Sequence, residues 1–303
     1  MEISFAPMIK NSGFSMDGYH IWCGSVIKEG GVYYMFASRW KKENSFPGGY
    51  MTSSQIVLAK TDDLSRPFVF ERVIIDKRDG GYWDSVMAHN PFIVKAAHGY
   101  YLYYIGSSDG TAKNRKIGYA FSGSLDGEWQ RCENPLELPE NANNPAVLSK
   151  PNGEVLLFFR DGDLHVSVAR AAGYEGPFEV IQCDIFPSAR IEDMYVFPMG
   201  GEYVMVCEDA DGFFTGLAKG GVLFHSHDAV NWQEDTAEVA YGFDILYEDG
   251  SRSYLQRRER PMLFFDGEKS YLFTAAKENG ESILCGGDTR NTVQEVFLCE
   301  KKM

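Results

Sequence analysis

The sequence predicts an all-β fold in which a unit of two hairpins, four antiparallel strands in all, occurs five times. Three observations predict it: a recurring hairpin with an aromatic second strand, a further hairpin after each copy, and no sustained apolar period of 3.6 residues. The missing helical period argues against long helices. Five units of four strands are typical of a five-bladed β-propeller, and we expect residues 1–303 to form one such domain.

The first hairpin opens with a polar residue, often followed by proline. It continues as a short apolar strand, a glycine-containing turn and a strand rich in tyrosine and phenylalanine. Asn-Gly, Gly-Gly and Asp-Gly turns supply the positive φ angles that tight hairpins need. Counted from the position of Ser25, successive copies begin 66, 54, 49 and 67 residues apart. The strands predicted to open the blades are residues 24–27, 90–94, 144–148, 193–197 and 260–264.

A second hairpin is expected after each copy. A large β-sandwich, the alternative fold, has no reason to repeat the same pair of hairpins five times. The weakest match is the last one, from Ile283-Leu284 to Val296-Phe297. The other four join residues 56–60 to 67–70, 117–121 to 127–129, 166–170 to 176–178 and 222–225 to 231–232.

Composition and charge exclude several classes of protein. The 303 residues are 44% apolar and 14% aromatic, which suits a large core and argues against disorder. The net charge of −14 disfavours a nucleic acid or an anionic membrane as partner. No apolar stretch approaches the ~18 residues of a membrane span. Residues 1–7 lack the basic and apolar regions of a secretory signal, so we expect a cytoplasmic protein.

The cysteines are scattered and form no C-x-x-C pair, which favours free thiols over disulfides in a cytoplasmic protein. Buried free thiols are therefore expected. The six positions are Cys23, Cys132, Cys183, Cys207, Cys285 and Cys299.

In a propeller the first strand of each blade lines the central channel, so the residues that open these strands converge on one funnel. Tryptophan beside carboxylates and arginine favours a sugar ligand, because the ring covers an apolar sugar face while polar groups bind hydroxyls. Alternatively, these side chains only tie neighbouring blades together. The residues concerned are His20, Trp22, Trp83, Asp84, His89, Asn90, Asn143, Asn144, Arg190, Glu192, Asp193, Arg257, Arg258, Glu259 and Arg260.

The strand openings resemble those of a known family. Asn90-Pro91, Asn144-Pro145 and Arg260-Pro261 are similar to the Asp-Pro or Ala-Pro openings of glycoside hydrolase family 43. Residues 191–194 are similar to its Glu-Gly-Pro segment. The resemblance implies a five-bladed glycosidase in which Glu192 is the catalytic acid. The chain also resembles a branch of this group labelled glycosidase or sucrase, through short motifs at 16–19, 22–25, 82–84, 89–91, 191–193 and 259–261.

Two positions depart from this family. Its members use an aspartate in blade 1 as general base and another in blade 3 to tune the acid, and the corresponding positions are assigned here to Gly24 and Asn144. Neither residue can take a proton from water, so another carboxylate must act as base if the protein is an enzyme. We rank Asp84 first, then Asp17, then Glu259.

The neighbours of Glu192 bear on its protonation. Asp193 would raise the pKa of Glu192 by repulsion if both side chains face one site, although adjacent strand residues normally point to opposite faces. Carboxylates near hairpin ends, such as Glu208 and Asp209, are expected to be solvated. His89 is a possible carboxylate partner, sugar contact or proton donor.

These residues favour a glycoside hydrolase that acts on a small sugar or an oligosaccharide end, with a carbohydrate as its partner. Glu192 would be the acid and Asp84 or Asp17 the second carboxylate. The substrate-binding residues would be Trp22, Trp83, His89, Asn144, Asp193, Glu259 and Arg260.

Two alternatives stay open. One is a glycoside phosphorylase, in which Arg257, Arg258 and Arg260 hold phosphate. The other is a sugar-binding propeller without catalysis, which Gly24 and Asn144 would explain. We expect no cofactor, although a structural or channel-bound ion such as calcium is compatible with the fold. The sequence does not specify the sugar, the linkage or the oligomeric state.

Overall fold

The predicted hairpins form five four-stranded antiparallel sheets, which confirms the five-bladed β-propeller. The computed structural model describes residues 2–278 and 288–299. The chain begins with strand β1 (Glu2–Phe5), which belongs to the last blade. Blades 1 and 2 consist of β2 (Tyr19–Glu29), β3 (Val32–Lys41), β4 (Gln55–Thr61), β5 (Val69–Ile75), β6 (Met87–Ala96), β7 (Gly99–Ser107), β8 (Arg115–Ser122) and β9 (Gln130–Arg131).

Blades 3 and 4 repeat this order from the central channel outward. They consist of β10 (Asn143–Ser149), β11 (Val155–Arg160), β12 (Val166–Ala171), β13 (Glu179–Gln182), β14 (Ile191–Met199), β15 (Glu202–Asp209), β16 (Gly220–Ser226) and β17 (Gln233–Tyr241). A separate two-stranded sheet of β18 (Asp244–Leu246) and β19 (Arg252–Tyr254) lies in the connection to blade 5.

The fifth blade joins the two ends of the described chain. It consists of β20 (Arg257–Asp266), β21 (Lys269–Lys277) and β22 (Thr289–Cys299), with β1 as its outermost strand and Ile3 opposite Leu298. The predicted second hairpin of this blade was wrong, because residues 296 and 297 lie in the third strand and β1 supplies the fourth. Residues 283 and 284 lie outside the described residues.

Burial follows from the position of each strand. Strand β11 reads Val-Leu-Leu-Phe-Phe-Arg and is buried throughout, because neighbouring blades cover both of its faces. The outermost strand β5 is exposed or half-buried except at its last residue, since it lies at the edge of the sheet. Apolar clusters fill the boundaries between blades, such as the one with Phe158 of blade 3 and Phe224 of blade 4. The blades are therefore held together by their faces.

Every inner strand carries a bulge at the same place. The register with the second strand shifts between Trp22 and Ser25 in blade 1 and at the corresponding place in each other blade. A bulge bends its strand and re-aims a side chain. The bulge residues are all non-glycine residues with positive φ: Cys23 (54°), Asn90 (53°), Asn144 (53°), Asp193 (59°) and Arg260 (59°).

This geometry corrects the assignment of blade 1. Cys23 shares its positive φ and its place in the bulge with Asn144, whereas Gly24 corresponds to Pro145. The expected position of the blade 1 aspartate was therefore wrong by one residue. The assignment was shifted from Cys23 to Gly24 because blade 1 has no proline to mark the strand opening.

The other expectations can be compared with the described residues. The α-helix there is the four-residue segment Tyr50–Ser53, as the missing helical period predicted, and no helix is long and apolar enough to cross a membrane. The five described cysteines are free, but the prediction of burial was wrong for Cys183 and Cys299, which are exposed. Cys285 lies outside the described residues.

The closure of the fifth blade makes β1 part of the core. Ile3 is 9% exposed and packs against the cluster between blades 4 and 5. We expect Ile3→Ala to lower the free energy of unfolding by about 2 kcal/mol, because a buried aliphatic side chain is removed. The adjacent exposed Glu2→Ala is the control and should change it by less than about 0.5 kcal/mol. Urea denaturation measures both, and equal effects would contradict the closure.

Candidate active site at the channel mouth

A ring of five side chains, one from each blade, crosses the central channel. The Cys23 thiol donates to Asn90 Oδ1 (2.9 Å), and Asn90 Nδ2 donates to Asn144 Oδ1 (2.8 Å). Asn144 Nδ2 in turn donates to Asp193 Oδ1 (2.8 Å), which also pairs with Arg260 Nη1 (2.7 Å). These are the five bulge residues, so the repeated backbone strain serves to place one polar side chain per blade in the channel.

The channel on one side of this ring is small. Its lining includes Ser25, Phe92, Tyr195 and Met262, which follow the bulges, and its volume is about 40 Å³. The inner strands begin on the other side of the ring, and we call that end of the channel the channel mouth.

Glu192 lies at the channel mouth, one residue before the bulge of blade 4. Its carboxylate forms an ion pair with Arg160 Nη1 of blade 3 at 2.8 Å, and its side chain is 25% exposed. Burial raises the pKa of Glu192, but the positive charges of Arg160, Lys219 and Arg260 outweigh it and hold the pKa below its usual value. The rise expected if Asp193 faced the same site does not occur, because Asp193 pairs with Arg260 instead and cations surround Glu192.

Asp193 faces a different partner. Its carboxylate is buried against Arg260 and Asn144, while Glu192 turns to Arg160. Burial raises the pKa of Asp193 to about 6, with Arg260 lowering it and Glu192 raising it further. The two neighbouring carboxylates are therefore split between the ring and the mouth.

Glu259 occupies in blade 5 the position that Glu192 occupies in blade 4. It lies 3.0 Å from Arg257 Nη1 and 3.6 Å from Lys219 Nζ. Glu208, opposite Glu192 on β15, is fully buried and lies 2.6 Å from the same lysine nitrogen. Burial, together with repulsion from Glu259 and Asp193, raises the pKa of Glu208 well above its usual value. The expectation that Glu208 is solvated was wrong, as it was for the buried Asp209.

Asp193, Glu208 and Glu259 could in principle hold a metal ion. One carboxylate oxygen of each lies within 4.8 Å of the others, and such oxygens are the ligands that divalent cations prefer. The ammonium group of Lys219 already lies between Glu208 and Glu259. The cluster is therefore neutralised by a lysine, and we assign no metal to it.

The loop 42–54 of blade 1 covers the opposite side of the mouth. Phe46 stacks on Trp40 at 5.8 Å and meets the edge of Trp22 at 4.9 Å. Tyr50 stacks on the ring of His89 in blade 2 at 4.3 Å. Arg257 of blade 5 lies over Phe46. The loop thus touches blades 2 and 5 as well as its own.

Comparisons in sequence find no match: no protein-family model matches the chain, and no curated protein matches it. In structure, a family 117 glycoside hydrolase from Zobellia galactanivorans matches with a TM-score of 0.70 at 14% identity, over 97% of this chain and 90% of that one. A family 43 β-xylosidase/α-arabinofuranosidase from a compost microbial metagenome, solved with xylotriose, matches with a TM-score of 0.67 at 13% identity, over 96% and 95%. The chain has the fold of these enzymes.

A third match agrees with the first two. An exo-1,5-α-L-arabinanase from a bovine ruminal metagenomic library has a TM-score of 0.67 at 12% identity, over 94% of this chain and 95% of that chain. At such identities the likeness concerns the fold, and the roles of individual residues depend on the geometry of the site itself.

The propeller does not bring Asp84 and Trp83 to the mouth, and both assignments were wrong. Asp84 has no exposed surface and accepts bonds from Arg78 (2.6 Å) and Tyr104 (2.7 Å), with Arg131 at 3.5 Å. Trp83 stacks on Tyr104 within the boundary of blades 1 and 2. A carboxylate and an indole buried there cannot meet a sugar.

Two aromatic predictions also need correction. Trp22 and His89 lie beside the mouth but are only 5% and 3% exposed, because Phe46 and Tyr50 cover them. Burial holds the pKa of His89 well below its usual value, with Arg260 adding to the effect, so its ring is neutral. The predicted direct contact with substrate was therefore wrong for both in this arrangement, and they support the loop instead.

The remaining predicted residues lie in the ring, at the mouth or away from both. Asn144, Asp193 and Arg260 meet in the ring, and Glu192 and Glu259 lie at the mouth. Asp17 is exposed in the turn before β2, and its catalytic role stays a prediction. Arg258 does not join a phosphate site, because it is buried and donates to Gln294 Oε1 at 2.9 Å.

The sequence missed Arg160, Glu208 and Lys219. The first two directly continue the second strand of their blades, after Val155–Phe159 and Val204–Cys207. A charge that extends a fully apolar strand is a signal for a buried ionic group, and it could have identified both. Lys219 precedes Gly220 in a loop, and no pattern in the sequence distinguishes it.

The surroundings of Asp84 allow a direct test of its structural role. We expect Asp84→Asn to lower the free energy of unfolding by about 3 kcal/mol, since Arg78 and Arg131 would lose their buried counter-charge. Asp17→Asn, at an exposed position, should change it by less than about 0.5 kcal/mol. Urea denaturation of both variants decides between a structural and a solvent-facing Asp84.

Proposed function

We propose that the protein is a glycoside hydrolase that cleaves a small sugar or the end residue of an oligosaccharide at the channel mouth. The observation that carries the proposal is the partly exposed Glu192 at the mouth of a propeller that glycoside hydrolases share, with Glu259 at the equivalent position of the next blade. Glycoside hydrolysis generally requires such a pair of carboxyl groups.

Glu192 is assigned the acid role because its carboxylate has fewer fixed partners. Among the described residues it has one ion-pair partner, Arg160, whereas Glu259 is held by both Arg257 and Lys219. A bound sugar would exclude water and displace Arg160 from Glu192, and both effects favour the protonated acid. Glu259, held by its two cations, is assigned the second role and activates water or attacks the anomeric carbon.

The loop that covers one side of the mouth favours a short substrate over a long polysaccharide. Loop 42–54 contacts blades 1, 2 and 5 through Phe46 and Tyr50, and the ring closes the channel below. A long polysaccharide would need an open groove across the mouth. The chain end of an oligosaccharide needs only the space beside Glu192.

Substitution of the two carboxylates tests the proposal on two kinds of substrate. We expect Glu192→Gln to lower kcat/KM on disaccharides by about 10²–10⁴-fold, and by much less on nitrophenyl glycosides, whose leaving group departs without a proton. Glu259→Gln should impair both kinds equally. Exposed Glu179→Gln on β13 is the matched control.

The same assays separate the alternatives. Activity that requires inorganic phosphate would indicate a phosphorylase, and sugar binding without turnover in the wild-type protein would indicate a binding propeller. Either result would overturn the hydrolase proposal. So would full activity of both carboxylate variants.

Arg160 should set the basic side of the pH profile. A general acid works only while protonated, so the basic limb of kcat/KM follows its pKa. Since Arg160 lowers the pKa of Glu192, we expect Arg160→Gln to move this limb upward by about one pH unit. Arg160→Lys keeps the positive charge and should leave the limb near its wild-type position. A basic limb that does not move in Arg160→Gln would remove Glu192 from the acid role.

A further inference from the structure

Lys219 reaches the site from a loop that the protein fixes tightly. The carboxylate of Asp209 accepts hydrogen bonds from the backbone N–H groups of Phe213 (3.0 Å), Phe214 (2.9 Å) and Thr215 (2.8 Å). The backbone N–H of Lys219 donates to the carbonyl of Asp209 at 2.7 Å. One buried aspartate thus anchors both the middle and the end of the loop 210–219.

The backbone of Lys219 is strained. Its φ is 65°, in the left-handed region that glycine adopts readily and lysine does not. Glycine would fit this position at lower cost, and such strain at a non-glycine residue is typical of functional sites. The side chain is therefore expected to contribute something that glycine cannot.

That contribution is visible in the contacts of its ammonium group. Lys219 Nζ lies 2.6 Å from Glu208 Oε1 and 3.6 Å from Glu259 Oε1. Glu208 is fully buried, and its Oε2 has no hydrogen-bond partner within residues 2–278 and 288–299. Lys219 thus joins a buried carboxyl group of blade 4 to a mouth carboxylate of blade 5.

We propose that Lys219 is a positioning residue of this site: its ammonium group bridges Glu208 and Glu259 across the boundary of blades 4 and 5 and holds the Glu259 carboxylate in place at the mouth. The inference rests on the proposed function, because it assigns Lys219 a task in the same reaction. Without this cation, two carboxyl groups would face each other at the boundary and repel.

The charges around Lys219 agree with this task. Burial lowers the pKa of Lys219, but the carboxylates of Glu259, Glu208 and Glu192 outweigh it and raise the pKa, so the group is charged. In return, Lys219 lowers the pKa of Glu192 and of Glu208. The charged groups that face this cluster are Arg160, Glu192, Asp193, Glu208, Asp211, Arg257, Glu259 and Arg260.

The effect on stability has a definite sign. Glu192 has a lowered pKa, so the stability it contributes is present above its unfolded-state pKa and is lost as the pH falls through its native pKa. Glu208 has a raised pKa, so ionising it costs stability as the pH rises, and Lys219 reduces that cost. Loss of Lys219 must therefore destabilise the protein more at high pH than at low pH.

The first experiment measures urea denaturation midpoints from about pH 4 to about pH 8. Lys28→Met is the matched control, because Lys28 is 32% exposed against 34% for Lys219 and pairs with Asp266 elsewhere. We expect the urea midpoint of Lys219→Met to fall below the wild-type midpoint by at least about twice as much at the higher pH as at the lower pH. Lys219→Gly, which relieves the left-handed strain, should match the wild-type midpoint at low pH and fall below it at high pH.

The second experiment measures kcat and KM separately. Loss of Lys219 should lower kcat more than it changes KM in Lys219→Met, because the Glu259 carboxylate is no longer held in place, whereas Lys219→Arg should restore kcat and Lys28→Met should leave it unchanged. A kcat that does not fall in Lys219→Met, or a midpoint loss equal at all pH values, would overturn the inference. If the wild-type protein cleaves no glycoside, the proposed function fails, and the denaturation series still decides on Lys219.

Discussion

The left-handed bulge residue on each inner strand is the constraint on which the site depends. Without it, the side chains of the inner strand would simply alternate between the two neighbouring blades. With it, one polar group per blade enters the channel, and the residue just before is held at the mouth. Cys23, Asn90, Asn144, Asp193 and Arg260 share this backbone state although their side chains differ. The propeller thus repeats a conformation, and the side chain at that position is free to vary between blades.

The contents of the mouth follow from a second requirement, the neutralisation of charge in poorly solvated surroundings. A buried carboxylate is costly unless a cation or hydrogen-bond donor meets it. Arg160 and Arg257 lie beside the carboxylates at the mouth. Lys219 and Arg260 lie beside the deeper carboxylates, Glu208 and Asp193. The result is a compact group of alternating charges in a protein whose net charge is −14. Opposite it lies the buried aromatic cluster around Phe46, which packs beneath Arg257.

The fold could be predicted because tight turns and apolar strands are local signals, repeated often enough to count. The site could be predicted only where its residues sit on that repeat, as Glu192 and Glu259 do. Asp84 was misassigned because two of its three partners, Tyr104 and Arg131, lie in strands distant from it in the sequence, and the nearby Arg78 alone does not distinguish a buried carboxylate from a catalytic one. The same limit hid β1 in the last blade, since its pairing with β22 joins residues nearly a whole chain apart.

That pairing has a consequence for biosynthesis. Strand β1 is made before blades 1–4, and its partner β22 is made after them, so the propeller cannot close until β22 has been made. Blades 1–4 use consecutive strands and can assemble in order, but β1 must wait with an unpaired edge, the kind of surface that invites association with another chain. Its shortness, four residues, limits that hazard. Because the propeller closes late, the contact between the strands farthest apart in the sequence forms at the end of folding. By then the blades already formed have brought β1 and β22 closer, which lowers the loop-closure entropy that this contact costs.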